Sequence, residues 1–374
     1  MKTRLLSLLK APSYAQGLNC SAKSLRWSLY LALVLLMSVE VFFLPKALQS
    51  TEEEAQAIKW MGEASAEIKQ FRIASGVPID AVLDPNQSGL IGLEYSDLTT
   101  TEGVLVAKRT SLNPAFAGVI VRLLKEAGVK EGDKVAVSLT GSFPALNIAT
   151  LVACRALNLQ PQIISSVGAS AYGANIPNLT WLDMESRLVN KGILPFSSLA
   201  VSFGGVIETS GGIDGTGLIL AEEAIKRHGA PFLEEGDYRV VEKDALARKK
   251  LFAQEGEIRA FINVGGALTA LGWVPEAAKL DAGLLTQKMP KTDDGKRGLI
   301  FRYAEDGVPV IHLLNIVRLA ERYALPVDPI PLPEAIPPAS SRFLWRYFLW
   351  AMILCVWAVS AVFFLRIESA SKTS

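Results

Sequence analysis

Glycines and short polar side chains recur at three places where a strand is predicted to end. These places are Thr140-Gly141-Ser142, Gly204-Gly205 and Gly265-Gly266. Glycine allows a backbone to approach a ligand closely, and free N–H groups at the start of a helix attract anions. The pattern is typical of a carboxylate or phosphate site, but a tight turn from strand to helix also requires glycine. Both interpretations stay open at this point.

The densest glycine stretch is FGGVIETSGGIDGTG, at residues 203–217, where Ser210, Gly211, Gly212 and Asp214 lie within five positions. It is a candidate ligand loop or a series of turns. The chain contains neither the GxxxxGK[ST] pattern of P-loop proteins nor the GxGxxG pattern of dinucleotide-binding folds. These absences argue against the nucleotide sites that the two patterns form.

A hydrolase triad would require Ser142 as nucleophile, His312 as base and Asp214 as the group that orients the base. No spacing in the sequence brings these three together. Ser142 is more simply an N-cap of the helix that follows, and His312 lies among apolar residues, as a packed histidine does. The GASAYG segment at residues 168–173 is one residue too long for a GxSxG nucleophile elbow. The spacing therefore assigns no catalytic residue.

An isolated glutamate followed by three consecutive threonines marks the segment GLIGLEYSDLTTTEG, at residues 89–103. It is either a polar loop or the rim of a pocket with two basic residues nearby. Paired positive charges would suit a carboxylate-rich ligand. The side chains concerned are Glu94, Thr99, Thr100, Thr101, Lys108 and Arg109.

The composition excludes several classes of protein. Of 374 residues, 50% are hydrophobic and 20% are charged, which argues against a disordered chain. The formal net charge of +1 argues against a nucleic-acid partner. Three scattered cysteines and two histidines indicate neither a disulfide framework nor a metal site, and no cofactor is indicated.

Much of the apolar excess lies in two runs, at residues 27–44 and 343–365. At about 1.5 Å per residue, a helix over the first run would nearly cross a hydrocarbon core of about 30 Å, and a helix over the second run would cross it. Basic residues before the first run predict a cytoplasmic N-terminus. We expect two helices of the plasma membrane, the first a retained anchor, with both termini cytoplasmic and residues 46–341 extracytoplasmic.

The segment between the two runs is acidic. Nine of the 38 basic residues but only two of the 37 acidic residues lie outside residues 46–341, which leaves a formal net charge of −6 for this segment. After an amphipathic helix at 51–74, strand and helix patterns alternate from residue 111. The expected strands are 134–140, 162–165, 199–203 and 259–264. The expected helices are 115–127, a helix that follows the turn Gly141-Ser142 and runs through residue 157, and then 178–189, 218–228, 244–254, 267–271 and 308–323, the last with a possible strand at its start.

This alternation predicts an α/β fold with a doubly wound, mostly parallel sheet in an extracytoplasmic domain, flanked by N- and C-terminal transmembrane helices. Pro-rich sequence after the domain predicts a stiff tether. The expected organisation is a basic tail (1–26), a transmembrane helix (27–44), a juxtamembrane helix and N-terminal subdomain (46–110), the α/β domain (111–325), the tether (326–342), a transmembrane helix (343–365) and a cytoplasmic tail (366–374).

Four segments resemble the bacterial poly-gamma-glutamate system protein family. They are GLIGLEYSDLTTTEG (89–103), KRTSLNPAF (108–116), GSFPALNIA (141–149) and GVPVIHLLNI (307–316), within a resemblance that runs from about residue 30 to 330. The family is tied to a system that makes and exports poly-gamma-glutamate with a separate ATP-dependent ligase. The resemblance implies a membrane accessory component and supplies no catalytic residues.

The first hypothesis is accordingly a membrane-anchored accessory component of poly-gamma-glutamate synthesis or export. Its partners would be the lipid bilayer and the subunits of that system, with the anionic glutamate polymer or a precursor as candidate ligand. The alternatives are a hydrolase or transferase that trims the polymer, and a scaffold without a ligand site.

Overall fold

The computed structural model describes residues 51–205, 213, 215–233, 241–292, 295–333 and 351. Ser50–Ala339 form one compact unit. In the residues described, none of the helices is both long and apolar enough to cross a bilayer. The two predicted transmembrane runs, 27–44 and 343–365, lie outside the described residues apart from residue 351.

A six-stranded sheet forms the centre of this unit. The strands of the unit are β1 (Thr99–Thr101), β2 (Lys134–Leu139), β3 (Gln160–Ser166), β4 (Ala169–Ser170), β5 (Asn175–Ile176), β6 (Leu179–Thr180), β7 (Ala200–Ser202), β8 (Ile258–Val264), β9 (Gly283–Leu285) and β10 (Val310–Leu313). The central sheet has the order β7-β3-β2-β8-β10-β9. Its first five strands are parallel and β9 is an antiparallel edge, while β1 pairs with β4 and β5 with β6.

Helices cover both faces of the central sheet. They are α1 (Glu52–Ala74), α2 (Leu105–Thr110), α3 (Ala115–Glu126), α4 (Pro144–Ala156), α5 (Trp181–Asn190), α6 (Gly215–His228), α7 (Val241–Phe252), α8 (Leu268–Leu271), α9 (Leu299–Glu305) and α10 (Ile316–Arg322), with a 3-10 turn at Pro275–Lys279. Helices α1, α3 and α4 contact one another on one face, and α7, α8 and α9 do so on the other.

Side chains along β2 show how one strand serves both layers. Val135, Val137 and Leu139 belong to the apolar cluster that contains α1, α3 and α4. Ala136 points the other way, into the cluster formed with α7 and α9. Successive strand residues face opposite sides of a sheet, so a strand buried on both faces requires mainly apolar residues on each, and Ser138 is the one polar residue buried within β2. The expected α/β fold with a mostly parallel sheet is confirmed.

The first helix belongs to this core. Thr51 caps it by accepting the Glu54 N–H, and Arg122 of α3 binds both carboxylate oxygens of Glu54 at 2.9 and 2.8 Å. Its apolar stripe, which includes Met61 and Ile68, is buried against the domain. Buried residues from both sides of residue 110 therefore belong to one apolar cluster.

The structure also revises the chain's last elements. The helix predicted for 308–323 is wrong in its first half, because Val310–Leu313 form β10, whose four residues are buried between β8 and β9. The strand noted as an alternative at this position is confirmed. At the start of the predicted tether, Asn86 binds the backbone of Pro329 and Leu332, so these residues are attached to the domain.

Candidate functional site

A cavity of about 560 Å³ opens at the carboxyl edge of the central sheet. The chain just after each of the five parallel strands contributes to its lining, with Thr140 after β2, Gly168 after β3, Gly205 after β7, Gly266 after β8 and Leu314 after β10. Parallel strands end at the same edge, and the chain leaves β2 toward β3 but returns to the other side of β2 as β8. Such a switch point is where open α/β sheets bind ligands.

Two of the predicted glycines hold the strand ends together behind the cavity. A Cβ at Gly265, whose φ is +100°, would lie 2.3 Å from Thr140 Oγ1, and a Cβ at Gly141 would lie 2.7 Å from the Val167 carbonyl oxygen. Neither glycine lines the cavity, whereas Gly266 does. Close packing explains Gly141 and Gly265, whereas Gly205 and Gly266 line the cavity and fit the ligand interpretation directly.

Lys108 of α2 forms the polar centre of the cavity. The residue is only 3% exposed, and its Nζ donates to the Ser142 carbonyl oxygen and lies 2.6 Å from Ser170 Oγ. The same Nζ lies 3.9 Å from the centre of the Phe143 ring. No ion pair joins it to an acidic side chain among the described residues. Burial without a compensating carboxylate lowers the pKa of Lys108 to about 7.

Ser142 and Ser170 are held against each other. Ser142 Oγ accepts the backbone N–H of Ser170 at 3.1 Å, and the Ser142 N–H donates to Thr140 Oγ1 at 3.3 Å. Helix α4 begins at Pro144 with Phe143 as its N-cap, without a side-chain cap. The prediction that Ser142 caps this helix is therefore wrong, because its hydroxyl is turned toward the segment after β3.

The mouth of the cavity carries exposed apolar side chains and one acid. Trp273 is 51% exposed and Val104 is 66% exposed, and Glu102 is exposed beside them. Rings and aliphatic groups at a rim supply contact area, while polar groups inside a cleft fix orientation. Within the described residues, Lys108 and Glu102 are the ionisable side chains of the lining.

The threonine segment lies beside this cavity, as expected for a rim. Thr100 and Thr101 line the main cavity and also a shallower neighbour, to which Glu94 and Thr99 contribute. The Thr99 hydroxyl is occupied by the Ser96 N–H and by Asn175. Glu94 lines the neighbouring cavity and not the main one.

The two adjacent basic residues separate. Lys108 faces the cavity, but Arg109 donates to the Val82 and Leu83 carbonyl oxygens and pairs with Asp328 at 3.3 Å. Neighbouring residues of a helix point about 100° apart, so both could not face one ligand. Arg109 fastens the chain near Asp328 to the domain instead.

The structure does not assemble the hydrolase triad of Ser142, His312 and Asp214 among the residues that it describes. His312 is buried, with its Nδ1 at 3.1 Å from Asn263 Nδ2, and no hydrogen bond joins it to Ser142. Burial lowers the pKa of His312 to about 4, which keeps the ring neutral at pH 7. The remaining candidates, Ser210, Gly211, Gly212 and Asp214, lie outside the described residues.

Neither thiol nor metal chemistry is supported among the described residues. Cys154 is fully buried in α4, and burial raises the pKa of its thiol to about 12, so it stays protonated. No group of three or more His, Cys, Asp or Glu side chains in the described ranges is arranged to hold a metal ion.

Sequence reasoning missed the contribution of Ser170, Phe143 and Trp273. Ser170 lies in the GASAYG segment that fails the nucleophile-elbow spacing, yet the segment forms a tight turn in which the Gly173 N–H donates to the Ser170 carbonyl oxygen at 2.9 Å. A serine at a turn after a buried strand was the available signal. Phe143 and Trp273 gave no signal, because aromatic residues occur throughout cores and surfaces.

Comparison with known proteins adds no relative to this description. The chain matches no protein-family model, no curated protein and no solved structure.

Proposed function

We propose that this chain is a membrane-anchored accessory component of poly-gamma-glutamate synthesis or export, and that the cleft at the carboxyl edge of its sheet binds the glutamate polymer or a precursor. One observation carries the proposal. Each of the four segments that resemble the poly-gamma-glutamate system family contributes residues to the cavity lining: Thr100, Thr101, Glu102 and Gly103 from the first, Lys108 from the second, Ser142 and Phe143 from the third, and Leu314, Asn315 and Ile316 from the fourth.

This convergence favours a ligand over a structural cause. The four segments are spread over more than 200 residues of sequence, from residue 89 to residue 316. Segments that share only a structural role would be expected throughout the core. A scaffold without a ligand site also predicts no cavity here, and a volume of about 560 Å³ is in the range of small-molecule sites. The two apolar terminal runs support the membrane anchor.

Genetic complementation with a cavity-filling variant tests the proposal. A Cβ added at Gly266 meets no atom closer than 3.7 Å, so Gly266→Leu should fill the cavity without strain in the fold. Gly62→Leu is the matched control, because Gly62 is exposed in α1 with nothing within 4 Å of an added Cβ. Each variant is expressed in a polymer-producing strain that lacks this gene.

We expect the parent chain and Gly62→Leu to restore surface poly-gamma-glutamate and Gly266→Leu to fail, at equal amounts of protein in the membrane. Unchanged polymer in the deletion strain would overturn the accessory role. Full restoration by Gly266→Leu would contradict the part of the proposal that places ligand binding in the cleft. A fluorescent γ-glutamyl oligomer should bind the purified full-length chain more tightly than an α-linked oligomer of equal charge, which separates recognition of the linkage from attraction between charges.

A further inference from the structure

The contact between Ser170 and Lys108 is suited to a chemical reaction as well as to ligand binding. We propose that Ser170 is a nucleophile and Lys108 its general base, so that the cleft hydrolyses an amide bond through an acyl-serine intermediate. The substrate class inferred below, a γ-glutamyl amide, rests on the proposed function, whereas the pair itself rests on geometry alone.

Distances place the two reacting groups in direct contact. Lys108 Nζ lies 2.6 Å from Ser170 Oγ, within the range required for proton transfer in a single step. Both Ser142 and Ser170 line the cavity, but Ser142 meets Lys108 through its carbonyl oxygen, whereas Ser170 meets it through its hydroxyl. The Ser142 hydroxyl instead accepts the Ser170 N–H and holds the backbone of the nucleophile in place.

The surroundings of Lys108 suit a neutral amine. A neutral amine has two N–H groups and one lone pair. In the proposed neutral form, one N–H donates to the Ser142 carbonyl oxygen and the other points to the ring of Phe143 at 3.9 Å, so that the lone pair is left to accept the proton of Ser170 Oγ, 2.6 Å away. Each position around the nitrogen therefore has a partner when the proton is absent. After proton transfer the ammonium keeps the same three neighbours.

Among the residues that the structure describes, no opposite charge holds the proton on Lys108. Glu102 is the other ionisable group of the described lining, and it is exposed at the mouth. Arg109, the next residue of the same helix, is turned away to Asp328. The turn after β2 and strand β4, which contact Nζ, offer only hydroxyl, carbonyl and aromatic groups there. Burial thus lowers the pKa of the amine to about 7, the range in which a general base works best at neutral pH.

The chemical steps balance with water as the only co-reactant. Ser170 Oγ attacks the amide carbon while its proton passes to Lys108 Nζ. The C–N bond then breaks as the ammonium returns this proton to the leaving amine, which leaves an acyl ester on Ser170. A water molecule gives its proton to Lys108 and attacks the ester, the C–O bond breaks, and Ser170 recovers the proton. The products are a carboxylic acid and an amine.

A fluorophosphonate, which reacts with activated serines, tests the pair without any assumption about the substrate. The purified full-length chain in detergent should be labelled once, at Ser170, as located by peptide mass spectrometry. The labelling rate should rise with pH to a plateau, with a midpoint near 7. Ser170→Ala should abolish labelling, and Ser166→Ala should retain it, because the Ser166 hydroxyl on the same segment donates to the Leu139 carbonyl oxygen, at 3.4 Å, and not to Lys108.

Replacement of the base provides the decisive comparison. Lys108→Met keeps the length of the side chain but cannot accept a proton, so the labelling rate should fall by about 10²- to 10⁴-fold. Lys108→Arg, which stays charged, should lose labelling as well. If Lys108→Met does not fold, as judged by circular dichroism, the pH profile of the parent chain and Lys108→Arg decide the question. Labelling elsewhere, no labelling of folded protein at pH 8, or an unchanged rate in folded Lys108→Met would overturn the pair.

Cleavage of a γ-glutamyl oligomer, followed by the appearance of free amine, separates this inference from the proposed function. Phosphonylation at Ser170 without binding or cleavage of the oligomer would support the pair and overturn the polymer as its substrate. Oligomer binding with an inert Ser170 would overturn the pair and support the binding role. Cleavage that is lost in Ser170→Ala and kept in Ser166→Ala would support both.

Discussion

Two buried ionisable groups, Glu185 and Lys108, contact serines of one segment and differ in how a charge on them is compensated. Glu185 is fully buried, and its carboxylate accepts the Ser198 N–H at 2.5 Å and the Ser165 hydroxyl at 3.1 Å. His228 Nε2 lies 3.1 Å from the same carboxylate. Lys108, in contrast, has a carbonyl oxygen, a hydroxyl and a ring as neighbours.

This difference separates a structural group from a reactive one. A buried charge is stable only when hydrogen bonds and opposite charges replace its water, and Glu185 has several such partners away from any described cavity. Lys108 lines a cavity and has no described ion-pair partner, so its proton is easily lost. Ser165, which donates to Glu185, and Ser170, which contacts Lys108, are only five positions apart in the sequence.

The largest expected effect on stability is at Glu185, whose carboxylate has several hydrogen-bond partners. Glu185→Ala removes the acceptor for three serine hydroxyls and leaves His228 without its partner, so the free energy of unfolding should fall by about 3–5 kcal/mol. Urea denaturation of the full-length chain measures this. The control is Glu222→Ala, because Glu222 is exposed in α6 and its removal should change little. Equal stability of the two variants would show that the Glu185 cluster is not structural.

The second prediction concerns the strand ends behind the cavity. Gly265→Ala combines a φ of +100° with a Cβ at 2.3 Å from Thr140 Oγ1, so it should lower the free energy of unfolding by about 1–3 kcal/mol. Gly128→Ala separates the two causes, because Gly128 has a φ of +81° but nothing within 4 Å of an added Cβ. The excess cost at Gly265 over Gly128 measures the steric term. Equal costs would contradict the close approach of β2 and β8.

The third prediction is a pH dependence with a definite sign. Lys108 has its pKa lowered on folding from 10.5 to about 7, so between these values the unfolded chain binds more protons than the folded one. Its contribution to stability therefore rises with pH through this window, by about 1 kcal/mol per pH unit. The measured quantity is the difference in free energy of unfolding between the parent chain and Lys108→Met, from pH 7 to 10. A difference that does not change with pH would mean that Lys108 keeps its ordinary pKa.

The smallest effect on stability is expected at the mouth of the cleft. Trp273 is 51% exposed, so Trp273→Phe should change the free energy of unfolding by less than about 0.5 kcal/mol. A γ-glutamyl oligomer should shift the tryptophan emission of the parent chain, and this shift should be lost in Trp273→Phe. Trp60→Phe is the control, because Trp60 stacks with Arg155 at 3.8 Å on α1 and α4. Loss of the shift in the control alone would place the ligand away from the cleft.

Periodicity predicted most of the fold because it reflects interactions between near neighbours. The helix predicted for 178–189 is present as α5, which begins with a capping box of Thr180 and Asp183, and all four predicted strands are in the central sheet. Strand β10 lies in a segment for which the sequence predicts a helix, because a buried four-residue run has no periodicity of its own. Its partner β8 lies more than 40 residues away in the sequence and decides its conformation.

Part of the site was predictable for the same reason. Small residues after strands mark the carboxyl edge, which predicts Ser142 and Gly266, and the run of threonines after an isolated glutamate predicts Thr100 and Thr101; all four line the cavity. Arg109 was grouped with Lys108 because the two are adjacent in sequence, but helix geometry sends them to different places.

By itself, the sequence determined the alternation of strands and helices, the apolar runs at both ends and the edge of the sheet at which a ligand would lie. Each of these follows from local patterning or from the direction of parallel strands. Only the tertiary structure decided that Lys108 contacts Ser170, 62 residues later in the chain, and that no described carboxylate accompanies it. Burial and contacts between distant residues set the chemistry of an amine, and neither is a property of the residues nearby in sequence.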